Sequence, residues 1–265
     1  NDLFGTQTQF ISNIGQYGDT ISGFGYMGKI LFGYEGLDMP VLFTEKGLIH
    51  LQRKIEVPTE EEREKMEHNG MKEEEIAGKT KITGRIISMQ WLNANPDAEI
   101  VSEDVAQGYH TYGLLQGKAY SYKRIIYKEI YQGVDLVYSF NENKTIGFEY
   151  NLIVKSGADL NAVKIKFGGD VASIKKDMHG NLVVKSDING ITQSIPVSYY
   201  GSEINSVSSV QKKIKSNYLI NNNEISFHFP RGYEAGKNIV IDPFVSATTN
   251  LTGTNAGKAK DVDFD

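Results

Sequence analysis

Apolar and polar residues alternate along most of the chain, and the period is two. In "VKIKF" Val163, Ile165 and Phe167 share one face, with Lys164 and Lys166 on the other. "ISFHF" repeats the pattern with Ile225, Phe227 and Phe229. One apolar and one polar face predicts antiparallel sheet with one side in solvent. Further runs of the same character are "KILFGYE" (29–35), "PVLFTEKGLIHLQRKIEV" (40–57), "KITGRIISMQWLNA" (81–94), "YKRIIYKEI" (122–130), "DLVYSF" (135–140), "IGFEYNLIV" (146–154), "NLVVKSDINGITQSIPVSYYG" (181–201), "KSNYLINNNEISFHF" (215–229) and "NIVIDPFV" (238–245). Between or within them lie turn signals that supply a Gly or Asn for positive φ: "EKG" (45–47), "MHGN" (178–181), "DING" (187–190) and "NNNE" (221–224). Short strands at this spacing predict β-sandwich architecture.

One segment departs from the pattern. "PTEEEREKMEHNGMKEEEIAGK" (58–79) is acidic and favours helix. Thr59 is placed to cap a helix, Glu60 to Glu62 sit near its positive end, and Asn69–Gly70 stops it. It reads as a solvated helical excursion between two strands. After "NIVIDPFV" the tail 246–265 turns to small polar residues, and from about residue 249 it reads as a linker. Its end, "DVDFD" (261–265), restores alternation and reads as the first strand of a following domain.

Composition narrows the function classes. The chain has 265 residues, enough for one large or two small domains, and a net charge of −5 without a basic patch. That argues against nucleic acid as a partner. With no cysteine there is no disulfide, thiolate metal site or Cys nucleophile. No apolar run approaches the ~20 residues that span a bilayer as a helix. The opening "NDLFGTQTQF" has neither the basic nor the apolar region of a signal peptide and reads as a mature N-terminus.

Candidate chemistry is sparse. His50, His68, His110, His179 and His228 are scattered, without the close spacing of a zinc site. Neither a GxSxG elbow nor an SxxK serine occurs. "GFGYMG" holds GxGxxG spacing at Gly23, Gly25 and Gly28, but no parallel βαβ unit surrounds it. Asp135, Asp242, Glu149 and Glu103 are the carboxylates available for a hydrolytic pair. "DVDFD" has a calcium-like acid string but lacks the Gly and distal Glu of an EF-hand loop. Tyr109, Tyr112, Tyr199 and Tyr200, in "YHTYG" and "SYY", are the candidate ligand-facing aromatics for a sugar platform.

Several motifs in order carry a resemblance: "FISNIGQY" (10–17), "VLFTEKGLIHL" (41–51), "WLNANPDAEIVSED" (91–104), "GYHTYGLLQG" (108–117), the block 122–169 beginning "YKRIIYKEIYQGVDLVYSF", then "GNLVV" (180–184), "IPVSYY" (195–200) and "NIVIDPFVSAT" (238–248). Together they resemble the N-terminal domain of large secreted Bacteroidota surface proteins. In that family the domain commonly precedes SBBP-type β-propeller repeats or adhesin-like Ig or cadherin-type domains. The proteins carry a gliding-motility or type IX secretion C-terminal signal. Gln132 stands where the family usually has Pro, and the usual Trp near 117–124 is absent. The resemblance implies no catalytic residues.

In "IYQGVDLVY" Gly133 turns the chain and Asp135 starts a strand, where its carboxylate accepts hydrogen bonds. That structural role is the reading adopted for Asp135, ahead of calcium binding and catalysis. The expected fold is all-β: two packed antiparallel β-sandwich-like lobes, 1–121 and 122–248, with the acidic helical insertion at 58–79 and a linker at 249–265. The expected function is that of a non-enzymatic structural or adhesive module on the outer cell surface. The implied protein is long, multidomain and exported by the type IX system, with a role in adhesion or gliding motility. The alternatives are a carbohydrate-binding module and a glycan hydrolase. No cofactor is expected, calcium being the one left open. The expected partners are downstream domains of the same chain, surface glycans and other cell-surface proteins. "DTI" (19–21) resembles an O-glycosylation acceptor at Thr20.

Overall fold

The computed structural model describes residues 8–37, 39–113, 115–140, 146–201 and 212–248. The strands are β1 Phe10–Ser12, β2 Ile30–Tyr34, β3 Val41–Thr44, β4 Gly47–Glu56, β5 Lys81–Trp91, β6 Glu99–Val105, β7 Ser121–Tyr131, β8 Val134–Ser139, β9 Phe148–Val154 and β10 Lys164–Gly169. The second half continues with β11 Ser173–Lys176, β12 Leu182–Lys185, β13 Gly190–Gln193, β14 Val197–Tyr200, β15 Lys213–Ile214, β16 Asn217–Asn221, β17 Glu224–His228, β18 Ile239–Asp242 and β19 Phe244–Thr248. The helices α1 Glu60–His68 and α2 Glu73–Ala77 lie between β4 and β5. The fold is all-β, and every strand pairing is antiparallel.

The ladder runs β16–β17–β10–β5–β4–β3–β2–β1–β7, and β7 also pairs with β6 and β8. β8 leads to β9, whose other edge is divided between β18 and β19. Pro243 causes the division, because it has no N–H for a ladder. Its carbonyl instead accepts from Tyr150 N at 3.2 Å. Opposite it, the chain breaks between β13 and β14, where Ser194 Oγ accepts from Phe244 N at 2.9 Å. Thus both strands turn the corner together: β18 continues to β14 and β15, β19 to β13, β12 and β11.

The expected border at 121/122 falls at the start of β7. Ladders join the halves on both sides of it, through β7 to β1 and β6 and through β10 to β5. One core also spans it, holding Phe43, Leu48 and Trp91 together with Tyr138, Phe148, Phe167 and Ile225. The sequence shows strands but not their distant partners, so a border drawn along the chain missed this pairing. Ser246–Thr248 belong to β19, paired with Gly190–Thr192. The expected linker 249–265, including "DVDFD", lies outside the described residues.

The core is rich in tyrosine, and its hydroxyls find partners. Trp91 Nε1 donates to Tyr138 Oη at 3.0 Å, Tyr127 Oη to the Thr44 carbonyl at 2.7 Å, and Tyr150 Oη to Gln193 Oε1 at 2.8 Å. Such bonds let amphipathic rings be buried without a desolvation penalty left standing. A second cluster of Met27, Ile30, Leu42 and Ile49 lies on the opposite face of β2–β4, with Tyr17, Ile21 and Phe24 packed on it. The loop bearing the three glycines of "GFGYMG" therefore serves packing, and it contains only a three-residue 3-10 turn.

The acidic insertion folds as two helices rather than one. Thr59 caps α1 in a reciprocal box: its N–H donates to Glu62 at 2.9 Å, and Glu62 N donates back to Thr59 Oγ1 at 3.3 Å. Asn69–Gly70 ends α1 as expected, and only Ile76 of the two helices is buried.

Candidate functional site

The stretch around Asp135 forms a bulged hairpin between β7 and β8, with a register shift between Tyr127 and Tyr131. Glu129 has φ +52 there and Gly133 φ +74. Asp135 Oδ1 accepts from Glu129 N at 2.8 Å, and Glu129 Oε2 accepts from Gly133 N at 2.7 Å. Lys155 closes the network at 2.5 Å from Glu129 and 3.3 Å from Asp135. Lys155 N also donates to the Gly133 carbonyl at 2.8 Å, joining β9 to the turn. The Lys155 hydrogen bond and the Gly133 N–H hold the Glu129 carboxyl below its ordinary pKa, and Glu129 in turn raises Lys155. Both carboxylates are spent on backbone geometry. The sequence pointed to Gly133 and Asp135 but not to Glu129 or Lys155, since nothing local marks a bulge.

The "FISNIGQY" motif has the same character. Asn13 Nδ2 donates to the carbonyls of Gly18 at 2.7 Å and Ile30 at 2.9 Å, and its Oδ1 accepts from Gly15 N at 3.0 Å. Gln16 bonds Ile14 N and the Ser12 carbonyl. Tyr17 lies over Gly33, where a Cβ would sit 2.4 Å from its ring, and its hydroxyl donates to Glu35 at 2.6 Å. Burial, then Glu35, pushes the Tyr17 pKa well up.

The other candidates scatter. Glu103 pairs with Arg124 at 3.4 Å on the surface. Glu149 on β9 and Asp242 on β18 lie on neighbouring strands of the ladder. Asn151 is fully buried, and among the described residues neither of its side-chain polar atoms has a partner. His50 is buried, its Nε2 without a partner among the described residues, stacked on Phe148 with ring centroids 6.4 Å apart. Burial pushes its pKa down to about 3. His110 contacts Ser121 Oγ at 3.0 Å, and His68, His179 and His228 are exposed. Among the described residues no three His, Cys, Asp or Glu side chains group as metal ligands. Thr20 is exposed in a bend.

The four candidate tyrosines do not form one platform. Tyr109 is exposed, but Lys118 Nζ sits 4.2 Å over its ring and Tyr120 meets it at 63°. Tyr112 stacks on His110. Tyr199 is buried, which corrects its reading as ligand-facing: adjacent residues of a strand point to opposite faces, and Tyr199 points to the side opposite half-buried Tyr200. Tyr200 lies between Lys212 and Lys237, and its hydroxyl accepts from Glu234 N at 2.8 Å.

A groove that the sequence did not reveal lies beside β6. It has a volume of about 370 Å³ and is lined by Leu31, Phe32, Ala98, Ile100, Tyr122 and the more polar Ser12, Ser102 and Glu45. Phe32 and Tyr122 meet edge to face at 6.0 Å.

The molecule is thus an antiparallel β module in which Asn13, Gln16, Glu129 and Asp135 hold turns and bulges. It belongs to a family of domains of unknown function, DUF7948, whose model matches residues 10–244. No match was found among curated proteins or solved structures.

Proposed function

We propose that this domain is a non-enzymatic structural and adhesive module of a long secreted multidomain protein. In this reading the type IX system exports the protein to the outer cell surface, where it serves adhesion or gliding. The observation that carries the non-enzymatic part is the use made of the most motif-like residues. Asn13, Gln16, Glu129 and Asp135 spend their polar atoms on the backbone of turns and bulges. The order of motifs over residues 10 to 248 supports the surface setting. The partners in this reading are downstream domains of the same chain and glycans or proteins of other surfaces. Carbohydrate binding is the second reading, favoured by the exposed Tyr109 and Tyr120. The test is protease shaving of intact cells of the native organism, with deletion of the coding segment followed by adhesion and gliding assays. Release of peptides from this domain and loss of attachment or spreading are expected. A domain protected in intact cells and dispensable for both behaviours would overturn the proposal. Glycan-array binding lost on Tyr109→Ala would establish the second reading.

A further inference from the structure

We propose that the free edge of β6 takes up an extended segment of another protein as an added strand, one that alternates apolar residues with lysine or arginine. The inference does not depend on the surface location argued above.

Among the described residues β6 pairs with β7 alone. Alternate main-chain N–H and C=O groups along its seven residues therefore face away from the sheet. An edge of this kind is a template for another strand unless it is short, bulged or covered. The other edges with one partner are shorter: β11 has four residues, β15 two and β16 five. On β6 the φ of +57 at Asp104 confines the irregularity to the C-terminal end, leaving Glu99–Glu103 regular.

The groove lies against this strand. Ile100 and Ser102, two apart, line it with Leu31 and Phe32 of β2 and Tyr122 of the paired strand β7. Its volume of about 370 Å³ falls in the range of ligand-sized clefts. A strand added to β6 would place every second side chain towards this apolar floor.

Charge sets the remaining side chains. No Lys or Arg occurs from residue 86 to 117. Glu99 and Glu103 are offset by Lys128 and Arg124 of β7. Glu45 in the groove lining and the exposed Asp97 and Asp104 have no such offset among the ion pairs of the described residues. A groove with an acidic rim favours a basic occupant and penalises an acidic one.

The test is selection of short random peptides displayed on phage against the 265-residue chain. Counter-selection uses Ser102→Trp, which fills the groove, after circular dichroism shows that the variant is folded. Enriched peptides are synthesised with N-methyl groups on alternate residues, in each of the two registers, and titrated by calorimetry. Enrichment of sequences alternating apolar residues with Lys or Arg is expected. N-methylation in one register should weaken binding about ten-fold or more, because it removes main-chain hydrogen bonds, and in the other register it should have little effect. Glu45→Lys, which leaves the edge intact, should weaken the same peptides. No enrichment over the groove-filled control, enrichment of acidic sequences, or indifference to N-methylation in both registers would overturn the proposal.

Discussion

His50 makes the stability of this domain depend on pH. Its ring is buried on Phe148, its Nε2 lacks a partner among the described residues, and burial lowers its pKa from 6.5 to about 3. Between those values the unfolded chain holds a proton on His50 that the folded chain does not. Stability therefore falls as pH is lowered from about 6.5. At pH 5 the medium lies 1.5 units below the unfolded value, and at about 1.4 kcal/mol per unit the loss is about 2 kcal/mol. For a domain of this size that corresponds to about 4–8 °C in Tm. The carboxylates Glu56, Glu62, Glu129 and Glu234 have pKa values below 4.5, so their contributions are lost only at lower pH. His50→Phe keeps a flat ring on Phe148 and removes the titration. Urea unfolding, followed by Trp91 fluorescence at about pH 7 and about pH 5, should show the loss in the parent chain and its near absence in the variant. Equal losses in both proteins would refute the reasoning.

Asp135→Ala should destabilise the domain by about 1–2 kcal/mol in urea unfolding, because Glu129 N–H loses its acceptor. Asp135→Asn keeps an acceptor and should cost less; equal stability of Asp135→Ala and the parent would remove the bulge-capping role. Gly147→Ala should cost more than about 2 kcal/mol or prevent folding, since φ is +112 and a Cβ would lie 2.2 Å from the Val245 carbonyl oxygen. A soluble variant with unchanged Tm would contradict that geometry. Replacing 58–79 with a short Gly–Ser linker should preserve the β circular-dichroism spectrum and buried Trp91 emission, because Ile76 is the segment's only buried residue within the two helices. Loss of the folded spectrum would show that the arm supports the body.

The alternation of "VKIKF" and "ISFHF" determined which side chains enter the core: Ile165, Phe167, Ile225 and Phe227 are all buried. The caps and turns were equally local, as Thr59 with Glu62 and the positive φ of Gly133, Gly180 and Asn222 show. These features depend on neighbours a few residues away, so sequence carries them. β6 was not legible as a strand because "EIVSEDV" is an edge with little buried surface and weak alternation. β9 is buried on both faces over most of its length, so its pattern does not tell which neighbours it has. The pairing of β10 with β5 and of β7 with β1 joins residues far apart in the chain, and only the folded core selects it. The same holds for Lys155 reaching Glu129, for the burial of Tyr199 beside half-exposed Tyr200, and for the groove beside β6. Each is set by which surfaces meet in three dimensions, a condition no local pattern encodes.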